Sequence, residues 1–129
     1  MDTKIQALEK ELDNFPVWEK GQILSIVDGD GELYHDLMDA YCEDALTGLE
    51  EISIALSSDN LSEVEQSAHA LKGSSANVGG ERAREASWWM ENSARETNVE
   101  FCRLVFEVLD REITKFVKAV RQVDLEDIS

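Results

Sequence analysis

His69 is the only histidine in the middle of the chain, and Lys72 and Gly73 follow it within the stretch SAHALKGSSANVGG, Ser67 to Gly80. A histidine ring is a nucleophile that can carry a transferred group, and an ammonium one helical turn away can hold the oxygens of a phosphoryl group on that ring. Residues three and four apart lie on one face of a helix. Helical side chains also lean toward the N-terminus, so a bulky residue at position 73 would lean over the ring of His69. Glycine leaves the ring open to in-line approach by another protein. That choice costs about 1 kcal/mol of helix propensity relative to alanine, so it wants a reason.

The bland alternatives are specific. An exposed histidine with a lysine three residues on is usually a solvated face. A glycine beside Ser74, Ser75 and Ala76 can simply mark close helix packing. Direction separates these readings. Leu61, Val64, Ala68, Leu71, Ser75 and Val78 recur at the three–four spacing of a buried stripe, and His69 falls roughly 130° from its centre. Gly73 points further out and Lys72 lies on the flank. Glu65, one turn before His69, either orients the ring or is a surface acid. The Ser75 hydroxyl is expected to bond back to a carbonyl of its own helix. Two histidines without ligand-spaced cysteines speak against a zinc site. A serine nucleophile lacks its elbow and its third partner. His35 reads as a surface residue.

The elements that must position these residues are all helical. A short amphipathic helix carries Ile5, Leu8 and Leu12, with Phe15 continuing the pattern, and must dock on something to be stable. Pro16 breaks it, and a second short helix runs from about 17 to 27. Asp28-Gly-Asp-Gly31 is a turn without the longer ligand pattern of a calcium loop. A long helix from about 32 to 56 carries the stripe Leu33, Leu37, Tyr41, Ala45, Leu49, Ile52, Leu56. The His69 helix, about 61 to 78, is capped by Asn60 or a neighbouring serine and stops at the Gly79-Gly80 pair. A helix over 81–96 presents Ala83, Ala86 or Ser87, Met90 and Ala94. The last, about 99 to 123, presents Cys102, Val105, Leu109, Ile113, Phe116 and Val120, widened by Phe101, Leu104 and Val108. The expected fold is all-α, an antiparallel up-down four-helix bundle with additional short N-terminal helices. Its divisions are an amphipathic helix at 1–14, the bundle at 15–123 and an acidic, frayed tail at 124–129.

Composition narrows the partners. The chain has 129 residues, enough for one core, with 43% hydrophobic and 31% charged residues. Its net charge of −16 repels phosphate backbones and anionic lipid, so nucleic acid and membrane are poor partners. No apolar run approaches the roughly 18 residues of a membrane span, and the N-terminus is too charged for a signal peptide. A cytoplasmic monomer is the expectation. Cys42 and Cys102 are expected as buried free thiols, since neither belongs to a CxxC pair.

At His69-Ala70-Leu71-Lys72-Gly73-Ser74-Ser75-Ala76-Asn77-Val78-Gly79 the sequence resembles histidine-containing phosphotransfer domains, whose pattern is H-x-[LI]-K-G-[SA]-[SA]-x-x-[LVI]-G. Helical spacing extends the resemblance over most of residues 15–123. The wording HALKGSS looks especially like stand-alone phosphotransfer proteins of fungi and plants, and bacterial examples fit it too. The first helix is expected to be particular to this chain.

The resemblance implies a phosphorelay intermediate. His69 would accept a phosphoryl group through Nε2 from a receiver-domain aspartate and pass it to another receiver, in response regulators or hybrid histidine kinases. Lys72 would stabilise the phosphoryl charge and Gly73 would give access. There would be no ATP site, no autokinase activity and no cofactor or metal of the chain's own, the magnesium belonging to the partner receiver. Many members carry a glutamine near the histidine from the following helix. Counting puts Glu91 there, where an acid repels a phosphoryl group unless rotated away. Receiver docking is expected near Ile23, Val27, Leu37, Met38, Ala68 and Ala76. Two other readings stand beside this one. One is a helical adaptor or inhibitor that binds a receiver or kinase without carrying phosphate. The other is the phosphoacceptor domain of a larger histidine kinase, against which a start at Met1 and an acidic tail favour a stand-alone protein.

Overall fold

A computed structural model describes residues 3–123. Its helices are α1 Thr3–Leu12, α2 Gly21–Val27, α3 Gly31–Ser57, α4 Leu61–Asn77, α5 Glu81–Arg95 and α6 Val99–Arg121. Three of the four long helices begin on a side-chain cap that the sequence supplies. Asp30 accepts from the Leu33 amide (3.0 Å), Asn60 from that of Glu63 (3.2 Å) and Asn98 from that of Phe101 (3.0 Å). Each such cap contributes about 1 kcal/mol. The Asp28–Gly31 turn is thereby accounted for: Asp28 closes α2 in a left-handed conformation and Asp30 opens α3.

Helices α3, α4, α5 and α6 pack as successive neighbours, and α6 closes on α3, giving the antiparallel four-helix bundle. The bundle's largest fully buried side chains include Phe116, Met38, Ile52, Met90, Leu109 and Ile113. Helix α1 docks on α5 and α6, burying Leu8 and Leu12. Cys42 and Cys102 are buried free thiols. Among the described residues no helix is long and apolar enough to cross a membrane. The expected frayed tail lies outside the described residues.

The start of α3 is turned relative to the expected stripe. Tyr34 and Met38 are buried, whereas Leu33 and Leu37 are exposed. Leu33 and Leu37 reach Tyr41 in steps of four and Tyr34 and Met38 in steps of four and three, so periodicity alone leaves the choice open. Tertiary contacts make it: the Tyr34 hydroxyl donates to the Val120 carbonyl (3.3 Å) and its ring lies 6.4 Å from that of Trp18. Leu104 on α6 is likewise exposed instead of widening the core.

Two close approaches set the height and tilt of α4. A Cβ on Gly48 would sit 3.1 Å from Leu71, so α3 and α4 pack backbone to side chain. The buried Ser75 hydroxyl pairs with the Tyr41 hydroxyl at 2.9 Å. The expected bond back to a carbonyl is made instead by Ser74, to Leu71 (3.2 Å). At its far end α4 stops at Gly79, whose φ of +81° is left-handed and whose missing Cβ leaves room for the Glu19 carbonyl. The segment after α1 straps across this turn: the Glu19 amide donates to Gly79 (2.7 Å), Trp18 Nε1 to Val78 (3.0 Å) and Arg82 Nε to Phe15 (2.7 Å).

Candidate functional site

Helix α4 presents His69 outward, with 69% of its side chain accessible, at the mouth of the groove between α4 and α5. Across the groove stands Glu91 of α5, whose side chain is only 3% accessible. Its Oε1 and Oε2 lie 3.1 and 3.3 Å from His69 Nδ1. Lys72 Nζ is 2.9 Å from Glu91 Oε2 and Arg95 NH2 is 3.0 Å from Oε1. Arg95 in turn donates through Nε to Glu65 (2.7 Å). Glu65 therefore reaches the site through Arg95 and does not itself orient the ring.

Burial works to raise the Glu91 carboxyl, but hydrogen bonds from Lys72 and His69, together with their charges, outweigh it and hold the group below its ordinary range. Glu91 is therefore ionised. A carboxylate has lone pairs only, so the 3.1 Å contact makes Nδ1 the donor. In the neutral ring Nε2 is then the nitrogen with the free lone pair. This removes the conflict expected of an acid at position 91, because the carboxylate faces the nitrogen that would not carry a phosphoryl group.

Gly73 is the second informative residue. A Cβ built there meets nothing within 4 Å, so no packing contact requires glycine at this position. The close-packing explanation belongs to Gly48, not to Gly73. Of the expected docking residues, Ile23, Val27, Met38 and Ala68 are core, Leu37 is exposed and Ala76 is partly exposed. Each core member lies on the helix face turned toward a neighbouring helix. Sequence reasoning missed Arg95. The available signal was its spacing of four from Glu91, which suits an ion pair on one helix face. His35 is a surface residue paired with Asp39 (2.9 Å).

The Hpt domain family matches residues 36–123, more than half of the chain, and the chain belongs to that family. Its function is that of a phosphorelay intermediate. Histidine-containing phosphotransfer protein B (HptB) from Pseudomonas aeruginosa PAO1 has a similar structure at 22% identity and a TM-score of 0.78, covering 83% of this chain and 93% of that one. A rice protein described as a histidine-containing phosphotransfer protein aligns at 22% identity and a TM-score of 0.76, covering 97% of this chain and 94% of its own. Likeness at that identity speaks to fold. No curated protein sequence matches the chain.

Proposed function

We propose that His69 carries the phosphoryl group, taking it from an aspartyl phosphate of one receiver domain and passing it to an aspartate of a second. The Nε2 lone pair attacks phosphorus, the N–P bond forms as the P–O bond to the aspartate breaks, and the carboxylate leaves. No proton has to move, because Nδ1 keeps its hydrogen throughout. The ring becomes cationic as it takes the group, and the Glu91 carboxylate at 3.1 Å offsets that charge. Transfer to the second receiver reverses these bonds and returns a neutral ring.

The observation that carries the reading is the hydrogen bond from His69 Nδ1 to an ionised Glu91, which leaves Nε2 as the nucleophile. Gly73 supports it by leaving the approach clear. Lys72, one turn from the ring and 2.9 Å from Glu91, supplies positive charge for the phosphoryl oxygens. The acid that favoured a phosphate-free adaptor thus supports transfer. The partners in this reading are receiver domains of response regulators and hybrid histidine kinases, which bring the magnesium, and the chain works as a cytoplasmic monomer. Incubation with a phosphorylated receiver should give acid-labile label on the chain, abolished in His69→Gln and reduced in Lys72→Ala. Label surviving in His69→Gln would sink the assignment.

A further inference from the structure

Trp88 is 43% exposed on α5, and no contact in the bundle core explains a tryptophan there. Helix geometry puts it about 60° around α5 from Glu91 and one turn nearer the α4–α5 turn. The level is fixed by the cross-helix pairs. Glu65 meets Arg95, while His69 and Lys72 meet Glu91, so in this antiparallel pair residue 88 stands level with the stretch from Lys72 to Ala76. The groove itself is lined by Glu65, Gln66, His69, Glu91 and Arg95, and Trp88 stands one turn further along the outer face of α5, beside Glu11, Trp89, Asn92 and Phe101 on the α1 side.

The ring of Trp88 is held in place. It stacks edge-on against Trp89, with centroids 6.0 Å apart at 79°. Trp89 is itself anchored by a hydrogen bond to Glu11 of α1 (3.2 Å) and an edge contact with Phe101 (6.5 Å). An exposed aromatic with its orientation already fixed loses little entropy when it is covered. Tryptophan is also the residue type most enriched among energetically dominant interface positions.

We propose that Trp88 is a docking anchor for the receiver domain, which covers it with an apolar patch beside its phospho-aspartate. This rests on the reading of His69 as the carrier. Transfer requires the donor aspartate to sit in line with Nε2, so the receiver must be centred over the ring. A specific interface covers roughly 800 Å² on each partner, a disc of about 16 Å radius, and a position one turn along α5 from Glu91 falls inside it. Within that footprint the neighbours on the groove are charged: Lys72, Glu91, Arg95 and Glu65. Trp88 is the large exposed apolar side chain of α5 beside them. Through Trp89 and Glu11 the anchor is also tied to α1, so the N-terminal helix braces the docking face without touching the histidine.

The test measures transfer from a panel of phosphorylated receiver domains to the full chain over a range of receiver concentrations, alongside labelling of His69 by phosphoramidate, a small donor that needs no docking surface. Trp88→Ala should raise KM about tenfold or more and leave kcat within about twofold. Labelling by phosphoramidate should be unchanged, and Trp88→Phe should recover most of the loss. Binding of a receiver should also change the tryptophan fluorescence of the wild-type chain and do so less in Trp88→Phe. An unchanged KM in Trp88→Ala overturns the anchor while leaving the His69 reading in place. So does a Trp88→Ala effect that appears only in self-association measured by sedimentation, which would assign the face to a second copy of the chain. If no receiver in the panel labels the wild-type chain while phosphoramidate does, the relay reading falls and the anchor with it.

Discussion

Glu85 and Glu91 lie six residues apart on α5 and point to different sides of it. Both are buried. Glu91 faces α4 and meets His69, Lys72 and Arg95 within 3.1 Å. Glu85 faces α1, where its main neighbour is another acid, Glu11, and Arg84 lies 3.5 Å away. The results are opposite. Burial also acts first on Glu85, and the charge of Glu11 and a hydrogen bond shared with it add to that, so its carboxyl is pushed up. At Glu91 the donors overcome burial and the carboxyl is pulled down. One helix thus carries a buried acid held below its ordinary range at the His69 groove and another pushed above it where α1 docks. Burial acts first on both, and the neighbours decide whether it is reinforced or overcome.

The largest expected effect on this comparison comes from the group that the Glu91 side serves. His69→Gln should abolish transfer from any receiver, measured as acid-labile label, while α1 docking stays intact by circular dichroism. Lys72→Ala should slow transfer roughly 100-fold, the usual cost of losing one charge aimed at a transferring group. Glu91→Ala leaves Nδ1 and Lys72 without their acceptor. It should slow transfer and lower stability by about 1–2 kcal/mol, a value held down because its partners are solvent-accessible. Urea denaturation with the transfer assay separates the two outcomes.

Glu85→Gln should do the reverse and do less. It removes a buried charge conflict, so stability at neutral pH should rise by about 1 kcal/mol with transfer unchanged. A drop in transfer would mean that the two sides of α5 are coupled. The pH profiles sharpen the contrast. The folded Glu91 carboxyl lies below its unfolded value, so its contribution is complete above about pH 4.3 and is lost as pH falls through the folded value. The folded Glu85 carboxyl lies above its unfolded value, so its contribution is complete below about pH 4.3 and is lost as pH rises through the folded value. Urea midpoints from pH 3 to 8 should therefore lose the acid-side decline in Glu91→Gln and the rise-with-acid component in Glu85→Gln.

Much of the site was legible in the chain because helical periodicity is a strong signal. The stripe from Val64 to Val78 fixed which way His69 and Gly73 point, and the cap residue Asn60 fixed where α4 begins. What periodicity could not carry was contact between helices. Ser75 bonds Tyr41 across the bundle, which no spacing within α4 reveals. Adjacent apolar residues at 33–34 and 37–38 left the face of α3 undecided until Trp18 and Val120 were packed against it. Position 91 was located by counting, but its meaning turned on which ring nitrogen it faces, a matter of about 3 Å that sequence does not encode locally. Arg95 and Trp88 were overlooked for the same reason: each matters through what stands opposite it.

The proposed transfer depends on Glu91 holding Nδ1 so that Nε2 carries the phosphoryl group. Long-range proton–nitrogen NMR on the phosphorylated, nitrogen-labelled chain reads this directly, since the ring nitrogens of His69 and His35 are resolvable and His35→Gln removes any ambiguity. The predicted result is phosphorus on Nε2 of His69 with the hydrogen retained on Nδ1. Phosphorus on Nδ1, or on any residue other than His69, would contradict it.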